Sequence, residues 1–474
     1  MNITLTRVNR EFIEKGRHRT VTKVDEMLRL LSLVLVTCLI YFYNNQGPSA
    51  LVAAMGFGIA GYFATDLLIP RVGKSFIKIG LFGKDLSKPG RPVLPETIGA
   101  IPAGVYLFVM FIYIPFIFYK YMVIATSGGG HRDISVVEDN GMNSNIFPHD
   151  KLSEYLSAIL CLESTVLLGI ADDLFDLRWR HKFFLPAIAA IPLLMVYYVD
   201  FGVTHVLVPG FMEHWLKKTS VDLGLWYYAY MASMAIFCPN SINILAGVNG
   251  LEVGQCIVLA ILALLNDLLY FSMGPPATRD SHRFSAVLII PFLGVSLALW
   301  KWNRWPATVF VGDTYCYFAG MVFAVVGILG HFSKTMLLLF IPQIINFIYS
   351  CPQLFKLVPC PRHRLPKFNE KDGLMYPSRA NLKEEPPKAF FKPILRLLHH
   401  FTLIDLEFDD NNEITSASNM TLINLTLVWF GPMREDKLCN RILQLQFCMG
   451  ILALIGRHAI GAIIFGHDNL WTVR

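Results

Sequence analysis

The stretch GIADDLFDLRWRHK, residues 169–182, ends a long apolar run with three aspartates and then four basic side chains. Charge is costly inside a bilayer, so charge at the end of a hydrophobic segment marks either a solvated helix end or a functional site. Arg178 fits the first explanation, as a basic anchor of a membrane helix. Asp172 and Asp173 fit it less well, because acidic residues do not anchor a helix, and we predict that this pair belongs to a functional site.

The composition of the whole chain is typical of a membrane protein. Of its 474 residues, 54% are hydrophobic and only 16% are charged, against about 25% in ordinary soluble domains. The mean hydropathy is +0.48, and the apolar residues form blocks long enough for a helix to cross the hydrocarbon core. The nine cysteines form no C-x-x-C pair, which argues against a disulfide framework and a zinc site. We expect no cleaved signal peptide and no nucleic-acid binding, since the basic residues lie in short loops.

The apolar blocks predict ten transmembrane helices, and a shorter apolar run at 30–43 would add an eleventh. The predicted fold class is an all-α polytopic membrane protein with ten or eleven transmembrane helices and one cytosolic α/β loop insertion. The ten predicted spans are 48–70, 98–119, 152–171, 183–200, 223–239, 251–273, 284–300, 314–330, 335–352 and 441–466.

Basic residues in short loops predict the orientation, because cytosolic loops carry an excess of Lys and Arg. Loop 71–92 holds six basic residues and a single aspartate, so we place it in the cytosol. The basic N-terminus is also cytosolic if 30–43 spans the membrane, which favours eleven helices. The predicted domains are a basic N-terminal segment with the extra apolar run, a transmembrane catalytic core, a cytosolic loop carrying a PRHR motif, and a last helix with its tail. Their bounds are 1–47, 48–352, 353–440 and 441–474.

Amide side chains form a second polar cluster, CPNSINILAGVNGLEVG, at 238–254. Asn240 and Asn243 are three residues apart, hence on one face of a helix, and Asn249 follows. Amides offer neutral oxygen ligands to a hard cation and donors to phosphate. The alternative is hydrogen bonding between helices, which is common for Asn in membranes.

A third cluster, ATVFVGDTYCYFAG at 307–320, places Asp313 at the start of an apolar helix. One explanation is an acidic cap that the helix dipole stabilises. The other is the single carboxylate that Mg²⁺ commonly takes from a protein when it serves phosphate substrates.

Two further polar stretches fall on the same predicted face. CPRHRLPKF (360–368) carries guanidinium groups suited to bidentate phosphate contacts, although a basic patch attracted to anionic lipid is the alternative. GKDLSKPGRPVLPETIG (83–99) adds Lys84, Asp85 and Glu96. Acids, amides and arginines on one face suit a Mg²⁺-dependent site for a charged phosphate compound beside the lipid. A transporter is the runner-up, although its polar groups would lie nearer the bilayer midplane.

These motifs together resemble the polyprenyl-phosphate sugar-1-phosphate transferases, in particular the eukaryotic members that begin the lipid-linked oligosaccharide for N-glycosylation. The matching stretches are PETIG, GIADDLFDLRWRHKFFLP, NSINILAGVNGLEVGQ, VFVGDTYCYFAGMVFAVVGILGHFSKT and PCPRHRLPKFN, in family order. The resemblance implies transfer of GlcNAc-1-phosphate from UDP-GlcNAc to dolichyl phosphate, giving GlcNAc-pyrophosphoryl-dolichol and UMP. It also implies a multi-pass protein of the endoplasmic reticulum membrane whose active site faces the cytosol.

The resemblance further implies roles for individual residues. The catalytic positions are Asp172, Asp173, Lys182 and Asn240. The Mg²⁺ ligands are Asn243 and Asp313. The substrate-binding positions are Lys84, Asp85, Leu86, Glu96, Trp179, Asn249, Phe310, Arg362, His363 and Arg364. Asp176 stands where some relatives have Asn, and its role stays open.

The implied partners are UDP-GlcNAc, dolichyl phosphate and membrane lipid, with a homodimer and association with the next-step glycosyltransferase as further expectations. A relative that uses another UDP-sugar is a second alternative, since sugar choice depends on the pocket shape around Arg364. We interpret Asp172 and Asp173 as organising Lys182 and the Mg²⁺ environment rather than removing a proton. The attacking phosphate is already largely ionised near neutral pH, because its second pKa is about 6.

Overall fold

The structure of the protein is a computed structural model. It describes residues 50–118, 148–208, 210, 214–215, 217–360 and 364–465. The predicted N-terminal segment 1–47, with its run 30–43, and most of the loop 120–151 lie outside these residues. Arg362 and His363 also lie outside them, as does the side chain of Trp179.

Helices form most of the described chain. In chain order they are α1 (Ala50–Lys78), α2 (Ala100–Ile117), α3 (His149–Phe175), α4 (Trp179–Lys182), α5 (Leu185–Ala189), α6 (Ile191–Asp200), α7 (Leu225–Ile244), α8 (Leu251–Met273), α9 (Pro276–Asn303), α10 (Asp313–Leu329), α11 (Ser333–Leu339), α12 (Ile341–Leu354), α13 (Lys392–His400), α14 (Leu422–Phe430) and α15 (Glu435–Phe465).

Among the described residues, six helical segments are long and apolar enough to cross a membrane, or seven if the bent pair α11–α12 forms one span. The six lie in α1, α2, Arg180–Asp200, α8, α9 and α15. The structure therefore supports a polytopic membrane protein, and the count of ten or eleven spans stays a prediction. α10 is apolar but has only 17 residues.

Prolines explain two departures from continuous predicted spans. The predicted helix 183–200 is divided into α5 and α6, each with a proline in its first turn, and α12 likewise begins with Ile341 and Pro342. Proline has no N–H to donate to the preceding turn, so a helix more readily begins at it than continues through it. As a result α11 and α12 meet at an angle of 65°.

The strands are short and antiparallel. They are β1 (Phe82–Lys84), β2 (Val93–Pro95), β3 (His205–Leu207), β4 (Ser220–Asp222), β5 (Lys367–Asn369), β6 (Leu374–Tyr376), β7 (Arg379–Asn381), β8 (Leu406–Phe408) and β9 (Ile414–Ser418). β1 pairs with β2, β3 with β4 and β5 with β6, while β9 lies between β7 and β8. The predicted loop 353–440 thus contains five strands, a 3₁₀ turn (Ala389–Phe391), α13, α14 and the first turn of α15.

α10 is the central helix of the bundle, and every residue from Thr314 to Leu329 is buried. Glycines let its neighbours approach closely, as is usual between membrane helices. A Cβ added to Gly169 of α3 would lie 2.5 Å from the Cα of Thr314. A Cβ added to Gly320 of α10 would lie 2.3 Å from the Cα of Pro239 in α7. Both contacts are with backbone, so neither neighbour can move aside by changing a rotamer.

We predict that Gly320→Ala lowers the thermal stability of the purified protein, because one methyl group must separate α7 from α10. Overpacking of this kind costs about 1–3 kcal/mol. Gly104→Ala in α2 is the matched control, since no atom lies within 4 Å of the added Cβ there. Heat denaturation in detergent should separate the two variants, and equal midpoints would contradict this packing.

Candidate active site

Asp173 holds the first turn of α10 from a neighbouring helix. Its Oδ1 accepts a hydrogen bond of 2.7 Å from the backbone N–H of Asp313. Its Oδ2 accepts from the backbone N–H of Thr314 at 3.1 Å and from the Thr314 hydroxyl at 2.5 Å. The first N–H groups of a helix have no partner within it, and a carboxylate at that end also interacts favourably with the helix dipole. Asp173 is therefore the cap of α10, supplied by α3.

Gly312 makes this cap sterically feasible. Its φ of 77° is in the left-handed region that favours glycine, and a Cβ there would lie 2.8 Å from Oδ2 of Asp173 and 2.7 Å from the Cα of Thr97. Gly312 and Asp313, neighbours in the third polar cluster, thus have different roles. Gly312 admits Asp173, and Asp313 carries the carboxylate.

Lys182 joins the aspartates of two helices. Its Nζ lies 3.0 Å from Oδ2 of Asp172 and 3.0 Å from Oδ2 of Asp313. The other oxygen of Asp172 accepts from the backbone N–H of Leu177 at 3.0 Å, which fixes the turn that follows α3. Asp176 ends α3 in the left-handed conformation with φ of 47° and is exposed. The stretch 169–182 is therefore folded back on itself so that Lys182 reaches Asp313.

A cavity of about 420 Å³ lies beside Asp313. It brings together eight of the sequence-predicted site residues, which are Lys84, Asp85, Leu86, Glu96, Asn243, Asn249, Phe310 and Asp313. Asp172, Asp173 and Lys182 do not line it. Lys182 contacts Asp313, Asp173 accepts from the backbone of Asp313, and Asp172 contacts Lys182. These predicted residues thus form one connected region.

One wall of the cavity is the β1–β2 hairpin together with the segment before α10. The N–H of Phe310 donates to the carbonyl of Pro95 at 2.8 Å, and Gly83 in β1 packs closely against the Phe310 ring. Glu96 follows β2. Burial raises the pKa of its carboxyl, and the charges of Asp173 and Asp313 raise it further. This wall thus combines an aromatic face with acidic side chains.

The opposite wall is a buried polar cluster at the start of α15. Glu435 accepts from the backbone N–H of Asn249 at 2.9 Å and from its Nδ2 at 3.0 Å. Nδ2 also donates to Asp85 at 3.1 Å. Lys88 bridges the two acids, with Nζ 2.8 Å from Asp85 and 3.0 Å from Glu435. The cluster fixes how Asn249 faces the cavity.

Asn240 and Asn243, which are three residues apart in α7, differ in their surroundings. Asn240 donates through Nδ2 to the carbonyls of Ile236 (2.8 Å) and Phe183 (3.3 Å), so its amino group ties α7 to the segment after α4. Asn243, one turn later, lines the cavity. The structure thus gives Asn240 a contact that joins α7 to the segment after α4, and Asn243 lines the cavity that Asp313 also lines.

The donor set fits a Mg²⁺ ion that is bound partly by its substrate. The described residues contain no group of three or more His, Cys, Asp or Glu side chains that could enclose a metal. Asn243 and Asp313 nevertheless line the same cavity, and they offer one amide oxygen and one carboxylate. Mg²⁺ in nucleotide sites commonly takes only one or two carboxylates from the protein and completes its shell with phosphates and water.

Polar side chains hold the loop that carries Arg364 by its backbone carbonyl. The carbonyl of Arg364 accepts from Asn424 Nδ2 at 2.9 Å and from the Ser378 hydroxyl at 3.0 Å. Asn419 also donates to that hydroxyl, at 2.6 Å. Arg364 itself donates from Nε to the sulfur of Cys360 at 3.0 Å and does not line the cavity, whereas Leu365 does.

Comparison with known proteins identifies the family of the chain. A family model described as glycosyl transferase family 4 matches residues 155–331, which include Asp172, Lys182, Asn243 and Asp313. A protein of Saccharomyces cerevisiae named UDP-N-acetylglucosamine–dolichyl-phosphate N-acetylglucosaminephosphotransferase is 93% identical over 94% of this chain and 100% of its own length. The chain belongs to this phosphotransferase family.

More distant members of the phosphotransferase family carry the same name. The relative from Schizosaccharomyces pombe is 52% identical over 90% of this chain and 96% of its own. The relative from Dictyostelium discoideum is 37% identical over 89% and 91%. The membership predicted from the joined motifs is thereby confirmed.

Sequence reasoning missed three polar residues of this phosphotransferase site. Lys88 lay inside the quoted stretch 83–99 but was not singled out there. Glu435 lay in no quoted motif and is 186 residues from its partner Asn249. Glu252 lay inside a quoted motif, yet its role as acceptor for the backbone N–H of Gly247, at 2.7 Å, could not be read from spacing. The high charge content around Lys88 was the only available signal.

We predict that Glu435→Gln raises the KM for the sugar nucleotide roughly tenfold with a smaller change in kcat, the effect expected from losing a charged hydrogen bond of about 1.5 kcal/mol. The amide cannot accept from both donors of Asn249 and from Lys88 together. Steady-state kinetics of purified protein would measure this. Glu385→Gln, at an exposed position of the same charge, is the control, and an unchanged KM in Glu435→Gln would contradict the assignment.

Proposed function

We propose that the chain transfers GlcNAc-1-phosphate from UDP-GlcNAc to dolichyl phosphate, the reaction that the name of its relatives states for those proteins. An oxygen of dolichyl phosphate forms a bond to the β-phosphorus of UDP-GlcNAc. The bond from that phosphorus to the bridging oxygen breaks, and UMP leaves. The observation that carries the proposal is the Lys182–Asp313 contact at the wall of a cavity that also contains Asn243 and Asn249.

The arrangement suits a reaction in which charge must be aligned and neutralised. Phosphoryl transfer needs little covalent help from the protein and depends mainly on positioning and electrostatics. Lys182 presents its ammonium group beside Asp313, at the site wall, held in place by Asp172. In this proposal Lys182 contacts a substrate phosphate.

Asp172 and Asp173 act as positioning residues in this proposal. Both carboxylate oxygens of Asp173 already accept hydrogen bonds, from Asp313 and Thr314. Asp172 accepts from the N–H of Leu177 through Oδ1 and forms an ion pair with Lys182 through Oδ2. A general base needs a free oxygen toward the proton it removes. The acceptor phosphate needs no such base, because its second pKa is about 6.

The fixed orientation of Asn249 supports a uracil-containing donor. Carboxylates only accept hydrogen bonds, so Nδ2 of Asn249 must be the atom that faces Asp85 and Glu435. Oδ1 therefore points away from both acids, and among the described residues no hydrogen bond to it is made. An acceptor at the cavity wall suits the N3–H of uracil, whereas cytosine has an acceptor at that position.

Dependence on Mg²⁺ is part of the proposal. Asn243 and Asp313 would hold the ion, with substrate phosphate and water as the remaining ligands. When bound, the ion neutralises charge on the phosphate that is transferred. Asp313 also contacts Lys182 through Oδ2, so this carboxylate would serve both the ion and the lysine.

We also propose the finer topology that the sequence predicts. The protein lies in the endoplasmic reticulum membrane, and its site faces the cytosol. Ten or eleven helices span the membrane. Residues 353–440 form an α/β insertion on the cytosolic side. The positive loop 71–92 supports the orientation. The five strands and two helices between residues 367 and 430 support the insertion.

Buried polar pairs elsewhere in the bundle do not favour a transporter. Asp66 pairs with Lys301 at 2.9 Å, and Asp267 lies 2.6 Å from Nδ1 of His282. Ionisable side chains inside a membrane bundle commonly pair with one another, and polar contacts of this kind between helices hold the helices together. They explain these residues without a transport path.

The function is tested by incubating the purified protein with dolichyl phosphate and UDP-GlcNAc and measuring UMP. We expect UMP and GlcNAc-pyrophosphoryl-dolichol in equal amounts, dependence on added Mg²⁺, and far lower rates with UDP-GalNAc. Asp313→Asn should lower the rate at least about 100-fold, the scale of losing one active-site electrostatic group.

Asp280→Asn, an exposed aspartate in α9, is the control for Asp313→Asn and should retain full activity. Movement of UDP-GlcNAc into sealed vesicles without UMP formation would contradict the proposal in favour of transport. Equal rates with another UDP-sugar would contradict the assigned donor.

A further inference from the structure

An apolar stripe runs along α13 and the turns at its two ends. Phe390, Ile394, Leu397 and Phe401 are spaced by four, three and four residues, which places them on one face of a helix. They are 60%, 40%, 56% and 61% exposed. Four large apolar side chains in one uncovered row are unusual on a soluble surface and mark a site of contact with a protein or a membrane.

The stripe is separate from the face that packs α13 into its own domain. Phe391 and Leu395 are buried in a small core with Val358, Ile404 and Leu406. At about 100° per residue, these positions lie roughly a quarter turn from the exposed stripe. The side chains of the stripe are therefore not part of the core of the 353–440 region.

Basic side chains occupy the remaining side of the same segment. They are Lys388, Lys392, Arg396, His399 and His400. An amphipathic helix with bulky apolar residues on one side and Lys or Arg on the other lies in the plane of a bilayer, with its apolar side among the acyl chains. Anionic headgroups attract such basic residues from the cytosolic side.

Contacts with α12 locate α13 at the level of the membrane boundary. α12 belongs to the bent pair that can form one span, and its last turns bind the segment that follows α13. The Tyr349 hydroxyl donates to the carbonyl of Leu403, and the Ser350 hydroxyl donates to that of Met420 at 2.8 Å. The C-terminal end of α13 therefore lies beside the last turns of a helix that enters the bilayer.

Aromatic residues extend the stripe toward α15. The indole N–H of Trp429 donates to the carbonyl of Thr402 at 3.0 Å, next to Phe401. Phe430 follows, and the guanidinium of Arg441 in α15 lies 5.5 Å from its ring. Trp429 and Phe430 are exposed, and aromatic side chains are enriched where membrane helices meet the headgroups. The exposed apolar surface is thus continuous from α13 to a helix that crosses the membrane.

We propose that α13 is an interfacial helix, whose stripe of Phe390, Ile394, Leu397 and Phe401 inserts into the cytosolic leaflet. The basic residues of its other side stay in the aqueous layer, where the negative surface potential of anionic lipid attracts them. The partner is the bilayer in which the protein already resides. Insertion fixes the 353–440 region against the membrane surface. That region also carries the Arg364 loop, so insertion keeps the active-site wall in a fixed position relative to the lipid surface.

A fluorescent amino acid at Leu397, introduced by codon suppression, tests the insertion in nanodiscs that contain neutral and anionic phospholipid. A lipid with a nitroxide quencher high on its acyl chain reports contact. The matched position is Asn411, in the exposed turn before β9; the neighbouring Asn412 carbonyl accepts from Arg396, on the side opposite the stripe. We expect at least about threefold stronger quenching at 397 than at 411, from a depth of 5–10 Å.

The contribution of charge is tested with Lys388→Gln, Lys392→Gln and Arg396→Gln combined, which should reduce quenching at 397. Lys367→Gln with Lys371→Gln, in the β5–β6 hairpin, should leave it unchanged. UMP release by each variant verifies that the fold is intact. Equally weak quenching at 397 and 411 would overturn the proposal. Shielding of 397 in native microsomes but not in nanodiscs would also overturn it and would indicate a protein partner.

Discussion

The contact between Asp173 and the first turn of α10 is the interaction on which the rest of the site depends. It joins the end of α3 to the start of the most deeply buried helix, through two backbone N–H groups and one hydroxyl. Because Asp313 is the first residue of α10, fixing that turn also fixes its carboxylate. Lys182 can then bridge Asp313 and Asp172, and the opposed charges at the end of α3 become one wall of a phosphate site.

Close packing extends this constraint through the bundle. Gly169 and Gly320 allow α3 and α7 to approach the backbone of α10, so the helices that carry Asp172 and Asn243 cannot shift independently of Asp313. Preorganisation of this kind is what phosphoryl transfer requires, since misplaced charge cannot stabilise the reacting phosphate. The fold thus places rigidity where the proposed chemistry needs it.

Much of the site could be predicted because its residues lie in motifs at helix ends on one face of the membrane. Loop charge alone placed the clusters around Asp172, Asn243 and Asp313 together, and the structure brings them to one cavity region. Roles within a cluster were harder to infer, because they depend on which atom faces which. Asp173 caps a helix 140 residues away, and Glu435 holds Asn249 from a helix that no pattern connected with it. Asn419 and Asn424 are buried supports of the Arg364 loop, a role that depends on tertiary contacts and could not be inferred from the sequence.

A double-mutant cycle between Asp173→Asn and Thr314→Val, read out as the rate of UMP formation, tests most directly whether Asp173 acts through α10. If it does, both variants disturb the same turn, and the double variant should be about as slow as the slower single variant, with a coupling of about 1 kcal/mol. If Asp173 instead removes a proton from substrate, Thr314→Val should slow the reaction by the same factor in either background. Such additivity would contradict the account.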